Sequence, residues 1–276
     1  MLTQIPSAPI FSTPQWLEAF LCSPVGLLSI FVLMVPFSLF LSGLSQRLPA
    51  RCGVDFTDLA QIDDGRFIGA RPFFYDGSFT RIKPIPVLGW IVGRKDVFFA
   101  HLLTEAALCI GAPLVAWLSH GSSVLLALYI LVCIISLFDF IAHWIPDFLT
   151  MSVTFLGLLS TPHLVDAVIS YAAAWYAAFF GLSAVRLVVR GQTMNYGDVW
   201  CFAAFSPFIM VRDLPVFAIS ATALALVQAV IFSFFIQKRD NEPVAIPFGP
   251  AISCAGFAAA AIAHWGFLTQ ISLFGG

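Results

Sequence analysis

Apolar residues run along this chain in long blocks separated by short polar breaks. Eight blocks read as helices, at 24–45, 99–118, 122–142, 148–162, 166–188, 199–211, 214–236 and 247–270. A bilayer core roughly 30 Å thick needs about 20 apolar residues per helix, fewer where a span is short or broken. The fourth and sixth blocks are short in this sense. One long polar segment, 46–98, rich in Gly, Pro, Arg and Asp, separates the first block from the rest. The pattern predicts an all-α polytopic membrane protein with about eight transmembrane helices and one cytoplasmic loop domain between helices 1 and 2. Its divisions are an N-terminal periplasmic segment (1–23), a first transmembrane helix (24–45), the loop domain (46–98) and a transmembrane bundle (99–276).

Composition agrees with lipid as the main solvent. Of the 276 residues 60% are hydrophobic and only 10% charged, where a soluble domain carries roughly a quarter. The formal net charge of -2 says little about partners, and neither total nor pattern calls for nucleic acid. Placement says more. Twelve of the thirteen basic residues fall in loops, or at the block edge beside them, that share one side if eight spans alternate, and only Arg212 falls opposite. Basic flanks mark the cytoplasmic side, so both termini are expected outside and segment 46–98 in the cytoplasm of a bacterial inner membrane. Residues 1–23 lack a basic start followed by an apolar core, so a cleavable signal peptide is not expected. Six cysteines occur without any C-x-x-C pair, four of them inside apolar runs. They read as small buried hydrophobes rather than a metal site or a disulfide framework.

Carboxylates in or beside apolar spans are costly and need a reason. Four are singled out: Glu105, Asp139, Asp147 and Asp198. The alternating topology puts the last three at the cytoplasmic membrane edge, with Glu105 close to it. Asp139 interrupts "LVCIISLFDFIAHWIPDFLT" in a helix expected to reach about Trp144, since Pro146 disfavours helix before it. That places it more than a turn inside the span, near a C-terminus whose dipole disfavours negative charge. Asp147 follows Pro146 where an N-cap belongs, so it reads as a cap or as a supporting group. Asp198, after Gly197 in "MNYGDVW", also reads as a cap when taken alone. Taken with Asp139 it reads differently. Two carboxyls from distant parts of the chain, at one depth, can meet across a helix bundle. Close together they cannot both ionise and they share a proton. One can then draw a proton from a bound water while the other donates to a scissile carbonyl. Such aspartic-protease chemistry requires no metal or cofactor.

At these residues the chain resembles the type IV prepilin peptidases. "DFIAHWIPD", Asp139 to Asp147, resembles the family's D-x(6)-P-D segment, and "NYGD", Asn195 to Asp198, its G-x-G-D motif. "SQRLP" resembles the basic exit from the first span, "IPVLGW" the close of the cytoplasmic loop, and "IPFGPAIS" the start of the last helix. The five stretches run in order from about residue 40 to 260. The resemblance implies that Asp139 and Asp198 are the catalytic dyad, with Gly197, Asn195 and Asp147 in support. It implies as substrate the leader of a prepilin or pseudopilin, cut after a glycine at the cytoplasmic membrane face. Gly197 would then give a turn without bulk, leaving room for substrate backbone. The resemblance extends to S-adenosylmethionine-dependent methylation of the new N-terminus, for which no glycine-rich nucleotide loop following a strand is visible.

The chain departs from the family in several places. Asn195 stands for the first glycine of G-x-G-D, and Trp200 where many members have lysine. His101 stands where glutamate is frequent. Cys52 is the only cysteine in 46–98, where typical members have two C-x-x-C pairs. Two rival readings stand beside the peptidase. One is a proton- or cation-coupled transporter using Asp139, Asp198 and Glu105. The other is a presenilin-like protease, whose Y-D pair and P-A-L motif are not found in place.

Overall fold

The computed structural model describes residues 13–51, 103–188, 196–235 and 247–274. Among these there is no strand, and helices follow one another from end to end: α1 (Gln15–Cys22), α2 (Pro24–Arg51), α3 (Leu103–Leu118), α4 (Ser123–Ala142), α5 (Asp147–Ser160), α6 (Leu164–Val188), α7 (Tyr196–Phe205), α8 (Leu214–Phe235) and α9 (Gly249–Phe274). Two short 3-10 turns, Ser206–Phe208 and Val211–Asp213, join α7 to α8.

Helices occupy all eight expected blocks. Three apolar segments among the described residues have the length to cross a membrane: Ser123–Phe140 in α4, Leu164–Ser183 in α6, and Val211–Ile231 around α8. A fourth is counted if α1 and the following Pro24–Ser38, bent by 77°, are one broken span; α3, α5 and Gly249–His264 are shorter apolar helices. Large apolar side chains lie exposed along α2, α6 and α8, among them Leu28, Val32, Phe180, Val216, Ile219 and Leu226. Apolar faces of this extent suit lipid rather than water.

Local chemistry sets the breaks. Pro24 cannot continue α1 for want of an N–H. Ser23 takes extended backbone before it, and its Oγ accepts from Gly26 N at 3.0 Å to start α2. α2 then continues to Arg51 rather than ending at 45. Gln46, Arg47, Leu48 and Ala50 form helix well without being uniformly apolar, so the helix outlasts the hydrophobic block. The residues of the expected loop beyond Arg51 lie outside the described ones. In α3, Pro113 follows a π-helical turn, Ala107–Gly111. A proline leaves a carbonyl four residues back without its partner, and one wider turn absorbs the mismatch. Tyr129 of α4 donates its hydroxyl to Ala107 O at 3.0 Å.

The core lies where α7 is enclosed. Helices α5, α6 and α9 pack around it, while α4 packs on α9 and α5. Phe138, Leu128, Ile135, Val199, Phe205 and Ile252 are fully buried there. Small residues let α9 approach closely, as in membrane helix pairs generally. A Cβ on Gly256 would strike the ring of Phe205 on α7, and one on Gly249 would lie 2.8 Å from Asp139 Oδ2 on α4. One stripe of α9 thus touches both helices that carry the singled-out aspartates.

Candidate active site

Asp139 sits in the last turn of α4. The helix stops at Ala142, two residues before the expected end at Trp144, because His143 adopts left-handed backbone (φ 47°) and its N–H returns to Asp139 O at 2.9 Å. Trp144 folds back against Phe138, with ring centroids 6.1 Å apart, and Ile145 and Pro146 are buried. This turn closes one side of the carboxyl. Asp139 is only 4% exposed, and its Oδ2 accepts from Gly249 N at 2.7 Å. The first N–H groups of any helix lack intrahelical partners, and here a carboxyl 110 residues away takes one of them. Upstream, Gln228 of α8 donates its side-chain amide to Pro247 O at 2.7 Å, which anchors the segment leading into α9.

Asp198 is the third residue of α7 and 8% exposed. It lies near enough to Asp139 for the two charges to act on one another, and both act on Cys201, one turn further along α7. Cys201 Sγ meets Ser253 Oγ of α9 at 3.8 Å, and both residues are wholly buried. The site is therefore a small polar layer, Asp139, Asp198, Cys201, Gly249 and Ser253, drawn from three helices and walled by apolar side chains. Two buried carboxyls that feel each other's charge in low-dielectric surroundings do not readily ionise together, which suits them to holding one proton between them.

The remaining sequence candidates fare unevenly. Gly197 is helical rather than a special turn, because α7 already begins at Tyr196; a Cβ on it would find no protein atom within 4 Å. Asp147 is the first residue of α5 and exposed. The N-cap is Pro146, and no side chain caps this end, so the capping role expected of Asp147 is corrected. Proline's fixed backbone serves as the entry, and Asp147 falls inside the first turn, where its charge still favours the helix dipole. Glu105, half-buried on α3, lies beside Cys109 on its own helix rather than with the two aspartates. Trp200 is partly exposed and packs against Trp175 of α6, ring centroids 5.8 Å apart, so this position joins an aromatic wall with Phe179 and Tyr196. Asn195 and His101 lie outside the described residues.

Sequence reasoning missed Gly249, Ser253 and Cys201. "IPFGPAIS" stood out as a motif, yet nothing in the linear pattern said that its glycine would meet Asp139.

Curated relatives include a "Type 4 prepilin-like proteins leader peptide-processing enzyme" of Escherichia coli O78:H11, 27% identical over 194 residues, which cover 63% of this chain and 68% of the relative. A "Prepilin leader peptidase/N-methyltransferase" of Legionella pneumophila is 30% identical over 141 residues, 49% of this chain and 48% of the relative. One of the same name from Escherichia coli K12 is 26% identical over 192 residues, covering 65% and 80%. The chain is homologous to prepilin leader peptidases. The resemblance read from the motifs is thus a relationship to named enzymes, although the alignment reaches only about half the length of the Legionella prepilin peptidase. These names do not support the transporter alternative built on Asp139, Asp198 and Glu105. No family model matches the chain, and no solved structure matches it.

Proposed function

We propose that this chain is a membrane aspartic endopeptidase that removes the N-terminal leader of prepilins or pseudopilins at the cytoplasmic face of a bacterial inner membrane. The observation that carries this reading is the meeting of two buried carboxyls, Asp139 from α4 and Asp198 from α7, around the head of α9. The names of the relatives supply the substrate class. A prepilin-type substrate, a basic leader ahead of one apolar helix, presents its cleavage site at the membrane edge where an eight-span topology places both aspartates.

In the reaction, one carboxylate takes a proton from a water poised between the pair as that water attacks the scissile carbonyl. The other carboxyl donates a hydrogen bond to the carbonyl oxygen and its proton follows as charge develops. As the C–N bond breaks, the proton gathered from water passes to the leaving amine, and the proton on the former carbonyl oxygen returns to the second carboxylate as the C=O bond re-forms, which restores the pair to its starting state. Burial keeps the shared proton from bulk solvent.

The relatives' names also carry N-methylation, which implies S-adenosylmethionine. The described residues include no strand to bear a glycine-rich nucleotide turn.

The test is processing of a co-expressed prepilin, read as the leader-size shift on a gel. Wild type cleaves, and Asp139→Asn and Asp198→Asn each lose at least about 100-fold, the lower range for removing a positioned acid or base. Normal processing by either variant rejects the dyad.

A further inference from the structure

The short helix α1 turns sharply away from α2, and α2 does not need it to cross a bilayer. The stretch from Pro24 to Leu44 carries no charge and is helical throughout. At about 1.5 Å per residue it is about 31 Å long, against a hydrocarbon core of roughly 30 Å. α1 itself is about 12 Å long, and at its bend of 77° it advances along the axis of α2 by only about 3 Å. It therefore lies across the end of a span rather than extending one.

Contacts with α3 and α4 fix how α1 is rolled. Leu21 packs against the buried group Ile30, Ala112 and Ala116, and Cys22 Sγ donates to Ala116 O at 3.6 Å. In the turn between α3 and α4, Gly121 has φ 80°, and a Cβ there would strike Glu18 O, so the backbone of α1 is seated directly on that turn. Just ahead of α1, Thr13 Oγ1 accepts from Ser123 Oγ at 3.5 Å. At 3.6 residues per turn, Trp16, Leu17, Phe20 and Leu21 share one side of α1, and Gln15, Glu18 and Ala19 share the other. The two leucines are half-buried, whereas Trp16 and Phe20, one turn apart, are 71% and 43% exposed. Trp117 and Leu118, at the end of α3 that Cys22 touches, are exposed as well. Tryptophan is enriched where acyl chains meet headgroups, and a helix lying across the end of a span is at that depth. α1 has no basic residue, so its attraction to lipid is apolar and does not require anionic headgroups.

We propose that α1 is an interfacial helix lying in the plane of the membrane, in the leaflet opposite Arg47 and Arg51, with Trp16 and Phe20 inserted at the boundary of acyl chains and headgroups and Gln15 turned to water. The partner of this surface is the lipid bilayer itself. The proposal stands on the membrane reading of the chain and is independent of the peptidase reading.

The test uses full-length protein in lipid nanodiscs, which leave both faces open to a soluble quencher. The emission of Trp16 is the difference between wild type and Trp16→Phe, a change at an exposed position that keeps an aromatic ring. Two further reporters are made in the Trp16→Phe background, Phe20→Trp on the same side of α1 and Gln15→Trp on the other. Each is read against phosphatidylcholine brominated near the headgroup end of its chains, the same lipid brominated near the methyl end, and aqueous iodide. For Trp16 and the Phe20→Trp reporter, bromine near the headgroups quenches at least about twofold more than bromine near the methyl ends, as fits insertion of about 5–10 Å. Iodide quenches both at least about twofold less than it quenches the Gln15→Trp reporter, which faces water. Stronger quenching from the methyl ends overturns the proposal in favour of a segment that enters the hydrocarbon core. Equal iodide quenching at all three positions overturns it in favour of a helix standing in water. Protection of Trp16 and the Phe20→Trp reporter from both bromine and iodide overturns it in favour of a protein contact, such as a second copy of the chain.

Discussion

Gly256→Ala is the sharpest test of how the bundle holds the two aspartates together. Gly256 lies on the stripe of α9 that faces α7. An added methyl would lie 2.8 Å from Phe205 Cβ and closer still to the ring atoms Cγ and Cδ1. Ordinary contact begins at 3.4 Å, so the Phe205 Cβ alone must retreat by 3.4 − 2.8 = 0.6 Å, and the ring by more. Rotating the ring does not relieve a clash at Cβ. The backbones of α7 and α9 have to separate. Phe205 is fully buried, so the shift spreads through packed neighbours. Overpacking of this kind costs about 1–3 kcal/mol. At roughly 2–4 °C per kcal/mol for a chain of this size, Tm in detergent should fall by about 2–12 °C. Activity should fall further than stability accounts for. Asp198 travels with α7 and the Gly249 contact with α9, and a misplacement of about 1 Å can cost on the order of 100-fold in rate. The assay is a thermal melt of purified protein beside a leader-cleavage rate measured well below Tm. Phe205→Ala, paired with Gly256→Ala, should recover part of both losses in a double-mutant cycle, because it removes Cγ and Cδ1, the two atoms the added methyl meets most closely. A Tm within 1 °C or so of wild type and an unchanged rate would refute the close approach of α7 and α9 and the site geometry that depends on it.

Asp147→Asn should keep processing within a few-fold and stability within about 0.5 kcal/mol, because the exposed carboxylate makes no cap bond and only its interaction with the helix dipole is lost; an inactive but folded Asp147→Asn would assign that residue a chemical role. His143 makes a pH prediction. It follows α4, its Nε2 is buried with no hydrogen-bond partner, and burial lowers its pKa from 6.5 to about 4. The folded state therefore prefers neutral imidazole, and the stability this confers is present above pH 6.5 and lost as pH falls towards 4. Wild-type Tm should decline across that window. His143→Asn, which tolerates the left-handed backbone, should flatten the decline; equal slopes for the two proteins would show that His143 is not the titrating group.

The order of helices was legible because lipid imposes a coarse rule on sequence. Spans need long apolar runs, and each of the eight runs holds a helix. Ends were less legible. α2 outruns its apolar block since helix propensity and hydrophobicity are separate properties, and α4 ends early because one histidine adopts a conformation that glycine usually supplies. Asp139 and Asp198 could be singled out for a similar reason: a carboxyl amid apolar residues is expensive wherever it lies. Asp147 looked like a cap because its position fitted, but Pro146 had already fixed the entry to α5.

The linear order of residues thus determined which segments enter the apolar phase and which acids are out of place there, since both follow from the cost of transferring single side chains from water. Only the tertiary structure decided what those acids meet. Gly249, 110 positions from Asp139, and Ser253, 52 from Cys201, belong to the site through contacts between helices. Such contacts depend on crossing and depth, on where a missing Cβ lets two backbones close, and on which orphan N–H points inward. None of these quantities has a period or a composition for sequence to display.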